Sequence, residues 1–424
     1  MGEWIGAAEA AQRLGVKQAT LYAYVSRGML SRRRGEDGRS SLFDAEEVDR
    51  LTARGQKGQP RRAAGTGDFV IESELTEVAD GRFRYRGMEV TKLALWRPFE
   101  EVAGWLWTGS IGRGTQPWQA TPEAIAAGSG AQAALPASTL PLERLRVIVP
   151  AMAATDLLRL HLDPPAVVAA GRNIIAGMVD CLPEPGPAPG AAAGSAIPSA
   201  RLAEGGIAGR FWYKICPRRP DPGLLGALRA AMALLADHEL AASTFAARMA
   251  ASVRADPYAV VATGLGALGT SRQSTSRRYG GASLGAETML AAIRDPADAV
   301  RVVGDLLRRG ERIPGLGDFA DSPDPRAKAL LDLVRKAAPR SARYAVAAGV
   351  LEETRRRALP EPNVDFALAA LASVAGMITG AGEAIFAVAR TAGWIAHAME
   401  EYAKNAPLRP RTVYIGPTRA PAVR

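Results

Sequence analysis

The sequence predicts a predominantly α-helical protein that carries a small, separately folded unit at its N-terminus. Three observations point there. From about residue 68 to 417, long Ala/Leu/Arg stretches recur with few β-branched clusters, the composition of helices rather than strands. Strand and helix patterns do not alternate along this region, which disfavours a nucleotide-binding parallel sheet. The segment Gly55-Gln56-Lys57-Gly58-Gln59-Pro60-Arg61-Arg62, continuing to Gly67, is Gly/Pro/basic and reads as a linker. The chain therefore divides into residues 1–55, a linker 56–67 and a helical body 68–417.

Within the first unit, Ile5, Ala8, Ala11 and Leu14 recur at helical spacing and Gly15 ends that helix. A second helix runs from about Gln18 to Arg27, with Leu21 and Val25 inward and Gly28 closing it. This spacing is that of a helix-turn-helix, whose second helix can enter a DNA major groove. Arg32-Arg33-Arg34, a turn over Gly35 to Gly38, then Arg39 and Phe43 form a two-stranded wing, and Asp44 with Glu47 caps a third helix, Ala45 to Arg54. The segments Ala8 to Val16 and Thr20 to Gly28 resemble the winged helix-turn-helix units of MerR-type regulators and phage excisionases. That resemblance makes DNA a candidate partner of residues 1–55; the alternative is a unit that serves only packing or assembly.

The body opens with strand-like Asp68 to Ile71 and Arg82 to Tyr85, and two Ala/Gly/Pro-rich tracts, about 110–138 and 182–208, read as loops. The longest uncharged stretch, Phe366 to Gly382, is Ala- and Gly-rich and followed at once by Glu383 and Arg390, so it reads as buried helix rather than a membrane span. The 424 residues suffice for a large core. Two cysteines, Cys181 and Cys216, exclude a disulfide scaffold, and three histidines leave little for a metal cluster, so no metal site is expected. Met1 to Ile5 opens with an acid and lacks the basic and apolar regions of a secretory signal, giving the expectation of a cytoplasmic protein. A net charge of +10 makes polyanions and phosphorylated ligands natural partners without choosing among them.

Polar residues concentrate in a few segments of the second half: Asp237-His238-Glu239, Tyr279-Gly280-Gly281, Ile313-Pro314-Gly315-Leu316-Gly317-Asp318 with Asp324-Pro325-Arg326, Pro362-Asn363-Val364-Asp365, and the arginines Arg390 and Arg409. Read alone, Asp365 is an acid or base, or a helix cap; the arginines are carboxylate clamps or structural ion pairs. The glycine turns allow close approach of a ligand to the backbone. Together they suggest an anionic, multi-carboxylate ligand with a proton to lose.

The ordered series Asp-His-Glu239, Asp-Pro-Tyr258, Gly-Gly-Ala282, Asp-Pro-Arg326, Pro-Asn-Val-Asp365 and Ala-Arg-Thr-Ala-Gly-Trp394 resembles citrate synthase. The resemblance implies an all-α homodimer in which a large domain (68–280 and 378–417) and a small domain (281–377) close over oxaloacetate. It implies acetyl-CoA or a close acyl-CoA such as propionyl-CoA as co-substrate, with no tightly bound cofactor and no membrane partner. Carried across, the family's catalytic aspartate falls on Asp365, its substrate histidine on His238, and its carboxylate-binding arginines on Arg326, Arg390 and Arg409, the last serving the partner subunit's site. Ile313, Pro314, Gly315, Leu316 and Gly317 match the loop that holds the CoA adenine.

The chain departs from the family at two mechanistic histidines. Tyr279 stands at the enolate-stabilising position, behind an Arg- and Ser-rich insertion, and Asp318 at the carbonyl-polarising position. Loss of one oxyanion donor costs on the order of a hundredfold to a thousandfold in rate. Two expectations follow: a condensing or enolising enzyme with altered chemistry, in which Tyr279 and Asp318 join Asp365 as catalytic groups, or a non-catalytic sensor of a carboxylate or CoA metabolite acting through the helix-turn-helix. His161 and His397 read as structural.

Overall fold

A computed structural model of the chain describes residues 4–14, 21, 25, 30–35, 41–49, 70–112, 117–186, 206–268, 282–317, 323–404 and 406–409. They fall into two compact units, one N-terminal and reaching Glu72, the other spanning Ser73–Arg409. The expected linker 56–67 lies outside the described residues.

In the N-terminal unit, strand β1 (Trp4–Gly6) leads into helix α1 (Ala7–Leu14), and β2 (Arg32–Arg34) pairs antiparallel with β3 (Ser41–Asp44). The expected wing is this β2/β3 pair. The sheet has a third strand, since β1 pairs with β3 and gives the order β1-β3-β2. Ile5 is therefore a strand residue, not the first turn of a helix; its side chain is buried with Ala10, Leu21, Phe43 and Val48. Residues 45–49 are helical, and Asp44 accepts from the Glu47 backbone N–H at 3.1 Å as its position predicts. Glu47 does not reciprocate; it turns to the Ser31 N–H at 2.6 Å, so it joins the wing to the helix. The proposed helix Gln18 to Arg27 is described only at Leu21 and Val25, both helical.

The larger unit opens with the meander β4 (Thr76–Ala79), β5 (Arg82–Tyr85) and β6 (Met88–Glu89). Asp80-Gly81 and Arg86-Gly87 close its two-residue turns with φ positive at both positions, the twist that suits a hairpin. The expected strand at residues 68–71 is absent at Val70 and Ile71; its place is taken by Thr76–Ala79, whose pairing with Arg82–Tyr85 is local.

Fifteen α-helices follow among the described residues: α2 (Val90–Trp96), α3 (Phe99–Thr108), α4 (Pro122–Ala133), α5 (Pro141–Ala153), α6 (Pro164–Asp180), α7 (Gly206–Ile215), α8 (Pro222–Leu235), α9 (Ala242–Ser252), α10 (Pro257–Ala267), α11 (Ala282–Ala292), α12 (Ala299–Arg308), α13 (Pro325–Ala337), α14 (Ala342–Arg356), α15 (Val364–Ala375) and α16 (Ala381–Lys404). Proline at the first helical position, where no N–H is missed, begins six of them. Asp163, Asp221, Asp256 and Asp324 precede four of these prolines, and each carboxylate accepts from backbone N–H groups of the first turn. Helix α4 overturns the loop expected at 110–138. Thr121 caps it from outside Pro122, and its alanines carry the helix through Gly128 and Gly130.

Helix α16 is the core of this unit, buried along nearly its whole length and packed by α3, α6, α8, α9 and α10. The long uncharged stretch falls on buried helices, as expected: α15 ends at Gly376 in the left-handed conformation and α16 begins at Ala381. No helix among the described residues is long and apolar enough to cross a membrane.

Tyr85 ties the meander to the C-terminal end of α8. Its buried hydroxyl accepts from the Asp237 N–H at 3.0 Å and donates toward the Leu234 and Asp237 carbonyls. Tyr85→Phe is therefore expected to lower stability by about 1–3 kcal/mol, because buried backbone groups lose their partner. Urea unfolding measures it; an unchanged midpoint and slope would show that the hydroxyl anchors nothing.

Candidate functional site

Three helix ends, the middle of a fourth helix and one strand converge on a buried polar cluster. Asp237 and His238 follow α8, Asp324 and Arg326 start α13, Asn363 and Asp365 start α15, Arg390 comes from the middle of α16, and Phe83 of β5 forms a wall. His238 stacks on Phe83 with ring centroids 5.2 Å apart, and the Arg326 guanidinium lies 4.3 Å from the same ring.

Arg326 is held on both sides. Its Nε and Nη2 donate to the two oxygens of Asp324 at 3.0 and 2.9 Å, and its Nη1 lies 3.2 Å from His238 Nδ1. Arginine has no acceptor, so His238 Nδ1 accepts and the ring hydrogen resides on Nε2. Burial, then the charges of Arg326 and Arg390, hold the His238 imidazole well below its ordinary range, so it stays neutral. Asp324 also accepts from the Val364 N–H at 3.2 Å, joining the starts of α13 and α15.

Arg390 is fully buried. Its Nε donates to the Leu235 carbonyl at 2.9 Å, and its guanidinium stacks on Phe386 at 4.5 Å. Among the described residues Nη1 and Nη2 have no hydrogen-bond partner. Burial and the like charge of Arg326 lower this group to about 10 against the pull of Asp237 and Asp365, yet it remains a cation at neutral pH. Two unmatched donors in a fork suit one carboxylate.

Asp365 lies in the first turn of α15, 7% exposed, and its N–H is capped by the Asn363 side chain at 3.0 Å. The same Asn363 donates to the Gly317 carbonyl at 3.1 Å, while its N–H meets the Gly315 carbonyl at 2.9 Å. The loop Ile313–Gly317 is thus stitched to the residues before Asp365. Gly315 has φ of +81°, and a Cβ there would stand 2.7 Å from Phe366, so the loop admits only glycine.

A second buried network runs behind the pocket. Asp237 accepts from Thr76 and from His397 Nε2 at 3.2 Å; His397 Nδ1 faces Arg248 Nη1 at 2.5 Å, and Arg248 pairs with Glu400 and Glu401. Burial raises the Asp237 carboxyl, but the His397 imidazole, Arg390 and the Thr76 hydroxyl override it and hold the group at about 2. His397 is fully buried, in keeping with its structural reading, but it is wired to the residue beside His238. The sequence signal for this network was the Asp237-His238 pair and the Glu400-Glu401 pair one turn from His397.

The structure brings together His238, Arg326, Arg390 and Asp365. Arg409 is exposed and makes no hydrogen bond or ion pair with them. Tyr279 and Asp318 lie outside the described residues. No group of three or more His, Cys, Asp or Glu side chains suited to a metal ion occurs among the described residues.

Comparison with known proteins gives the family of this helical body. The family model "Citrate synthase, C-terminal domain" matches residues 65–411, and "MerR HTH family regulatory protein" matches residues 7–53. The chain is 30% identical over 382 residues to the citrate synthase of Haloferax volcanii, covering 82% of this chain and 94% of that one. It is 27% identical over 384 residues to citrate synthase 2 of Bacillus subtilis, with 83% and 95% covered. A 2-methylcitrate synthase of Mycobacterium tuberculosis is 28% identical over 352 residues, with 78% and 84% covered. Among solved structures, the citrate synthase from Pyrobaculum aerophilum superposes with a TM-score of 0.67 at 23% identity over 84% of this chain and 92% of that one. A ternary complex of carboxymethyl coenzyme A and oxaloacetate with the Thermoplasma acidophilum citrate synthase gives 0.66 at 22% identity, with 84% and 96% covered. The chain belongs to the citrate synthase family, with a MerR-type helix-turn-helix unit ahead of the family domain.

The depressed Asp237 carboxyl has a pH consequence. Its folded value of about 2 lies below the unfolded value of about 4, so its contribution to stability is complete above about pH 4 and is lost as pH falls toward 2. The thermal midpoint of the unaltered protein should fall more steeply over that acid range than that of Asp237→Asn. Parallel slopes would rule the contribution out.

Proposed function

We propose that the chain condenses a short acyl-CoA, acetyl-CoA or propionyl-CoA, with a 2-oxo acid such as oxaloacetate, by chemistry adapted to the loss of two histidines. The observation that carries this reading is the Arg390 fork, buried with two donors that have no partner among the described residues, beside a neutral His238 and within the field of Asp365. In this reading Arg390 and Arg326 bind carboxylates, and the His238 Nε2–H donates to the oxo group. Asp365 takes the α-proton of the thioester, the resulting carbon attacks the oxo carbon, and hydrolysis releases CoA. Tyr279 serves as donor to the enolate oxygen and a protonated Asp318 as donor to the carbonyl. The loop Ile313–Gly317 receives the CoA adenine. Arg409, exposed here, completes the site of a partner subunit in a cytoplasmic homodimer. The oxaloacetate and CoA analogue named for the Thermoplasma relative support this substrate pair.

A second reading attaches to the N-terminal unit, where Arg32, Arg33 and Arg34 are all exposed on β2. Such a basic strand suits the phosphates beside a major groove, with occupancy set by a carboxylate or CoA ligand at the family domain.

Deuterium exchange into the acyl group and CoA release with a panel of 2-oxo acids test the first reading. Asp365→Asn should lower both by about a hundredfold to ten-thousandfold, and Arg390→Lys should raise the KM for the oxo acid about tenfold or more. Absence of exchange with every thioester tried removes this reading. For the second, duplex DNA affinity should fall with salt, and Arg32→Ala with Arg34→Ala should flatten that dependence by up to about two phosphate contacts. A binding curve indifferent to salt eliminates it.

A further inference from the structure

The chain that leads into His238 is laid along α16 and tied to it at successive turns. The Leu235 carbonyl accepts from Arg390 Nε at 2.9 Å, the Ala236 carbonyl from the Gly393 N–H at 2.8 Å, and the Asp237 carboxylate from His397 Nε2 at 3.2 Å. Arg390, Gly393 and His397 share one face of the helix at steps of three and four residues. The approach is close enough to require Gly393, since a Cβ there would stand 2.6 Å from the Ala236 carbonyl oxygen. His238 comes next. Glu239 after it has φ of +49°, a left-handed backbone that a residue with a side chain keeps only where its surroundings hold it. The turn that presents His238 is therefore strained on one side and tied down on the other.

His397 supplies the last of the three ties, and Arg248 of α9 places its hydrogen. Arg248 Nη1 lies 2.5 Å from His397 Nδ1, and a guanidinium has no acceptor. Nδ1 therefore accepts, and the ring hydrogen sits on Nε2, the atom that meets Asp237. Arg248 is itself fixed: it is fully buried, its Nε donates to Glu401 at 2.8 Å and its Nη1 to Glu400 at 2.6 Å. Two acids of α16 thus aim an arginine of α9, which sets the tautomer of a histidine of α16, which holds the residue before His238.

We infer that His397 is a positioning residue: with its tautomer set by Arg248, it holds Asp237 against α16 and so keeps the His238 ring in register with Arg390, carried on the same helix face. The inference rests on the condensing-enzyme reading for its functional meaning. In that reading one oxo acid meets His238 Nε2–H through its oxo group and Arg390 through a carboxylate, so the register of the two decides how well it binds.

The presence of only three histidines makes the test direct, because the ring nitrogens of His161, His238 and His397 can be told apart in spectra of 15N-histidine-labelled protein by substituting each in turn. In the unaltered protein His397 should carry hydrogen on Nε2; hydrogen on Nδ1 overturns the inference before any variant is made. Leucine at 397 cannot donate, the amide nitrogen of glutamine can stand where Nε2 stands, and that of asparagine reaches only the place of Nδ1. His397→Leu and His397→Asn should both shift the His238 ring signals, and His397→Gln should return them. The KM for oxaloacetate should follow the same order, rising about tenfold or more in the first two while the KM for acetyl-CoA moves less than about twofold. If the leucine variant fails to fold, the asparagine and glutamine pair carries the comparison. Equal behaviour of those two, or an unmoved His238 ring in a folded variant that cannot donate to Asp237, means that His397 only fills space. If the ring signals behave as expected and no thioester is turned over with oxaloacetate, the condensing reading fails while the positioning of His238 stands.

Discussion

Asp324 is the carboxylate on which the pocket hangs. One oxygen caps the first turn of α13 and accepts from Arg326 Nε; the other accepts from Arg326 Nη2 and from the Val364 N–H. A single buried side chain thereby fixes the arginine, the helix that bears it and the helix that bears Asp365. Removing it would strand a buried guanidinium, whose isolated charge is far costlier than a lost surface pair. The orientation of His238 follows in turn, because Arg326 meets its Nδ1 and so the ring hydrogen lies on Nε2. Geometry that looks like five independent residues is one connected arrangement.

Much of this frame was legible in the sequence because it is written locally. Asp-Pro at 163–164, 221–222, 256–257 and 324–325 announces helix starts, and Asn363 announces the cap before Asp365. The order of these motifs carried the family as well. What escaped reading was written at long range. The β1 strand is three residues whose burial depends on β3, far along the chain, so Ile5 fitted a helical spacing equally well. Helix α4 hid because its glycines look like loop, while the Thr121-Pro122 start and the alanines outweigh them. The Asp237, His397 and Arg248 network joins α8, α9 and α16, and no spacing rule reveals a pairing across elements so distant in the chain. Glu383 was visible only as the residue that ends an apolar stretch; its burial without a hydrogen-bond partner among the described residues emerged with the packing.

The N-terminal unit and the family domain pose different physical problems. Among the described residues of the first, Ile5, Ala10, Leu21, Phe43 and Val48 pack together, Asp44 caps residues 45–49 and Glu47 links to Ser31. In the second, α16 is so thoroughly enclosed that its polar residues, Glu383, Arg390, His397 and Glu401, must each be answered by a partner, a ligand or a proton. Arg248 answers Glu401, Asp237 answers His397, and Arg390 retains two donors for a ligand.

The neutral His238 has a wider meaning for how such a pocket senses its ligand. Arg326 and Arg390 stay charged and His238 stays uncharged across the range of pH found in cells, so the recognition groups present one fixed pattern of donors. Under the proposed function, a di-acid would therefore be weighed by its own ionisation, not by that of these groups. Occupancy would then report the concentration of the fully ionised acid.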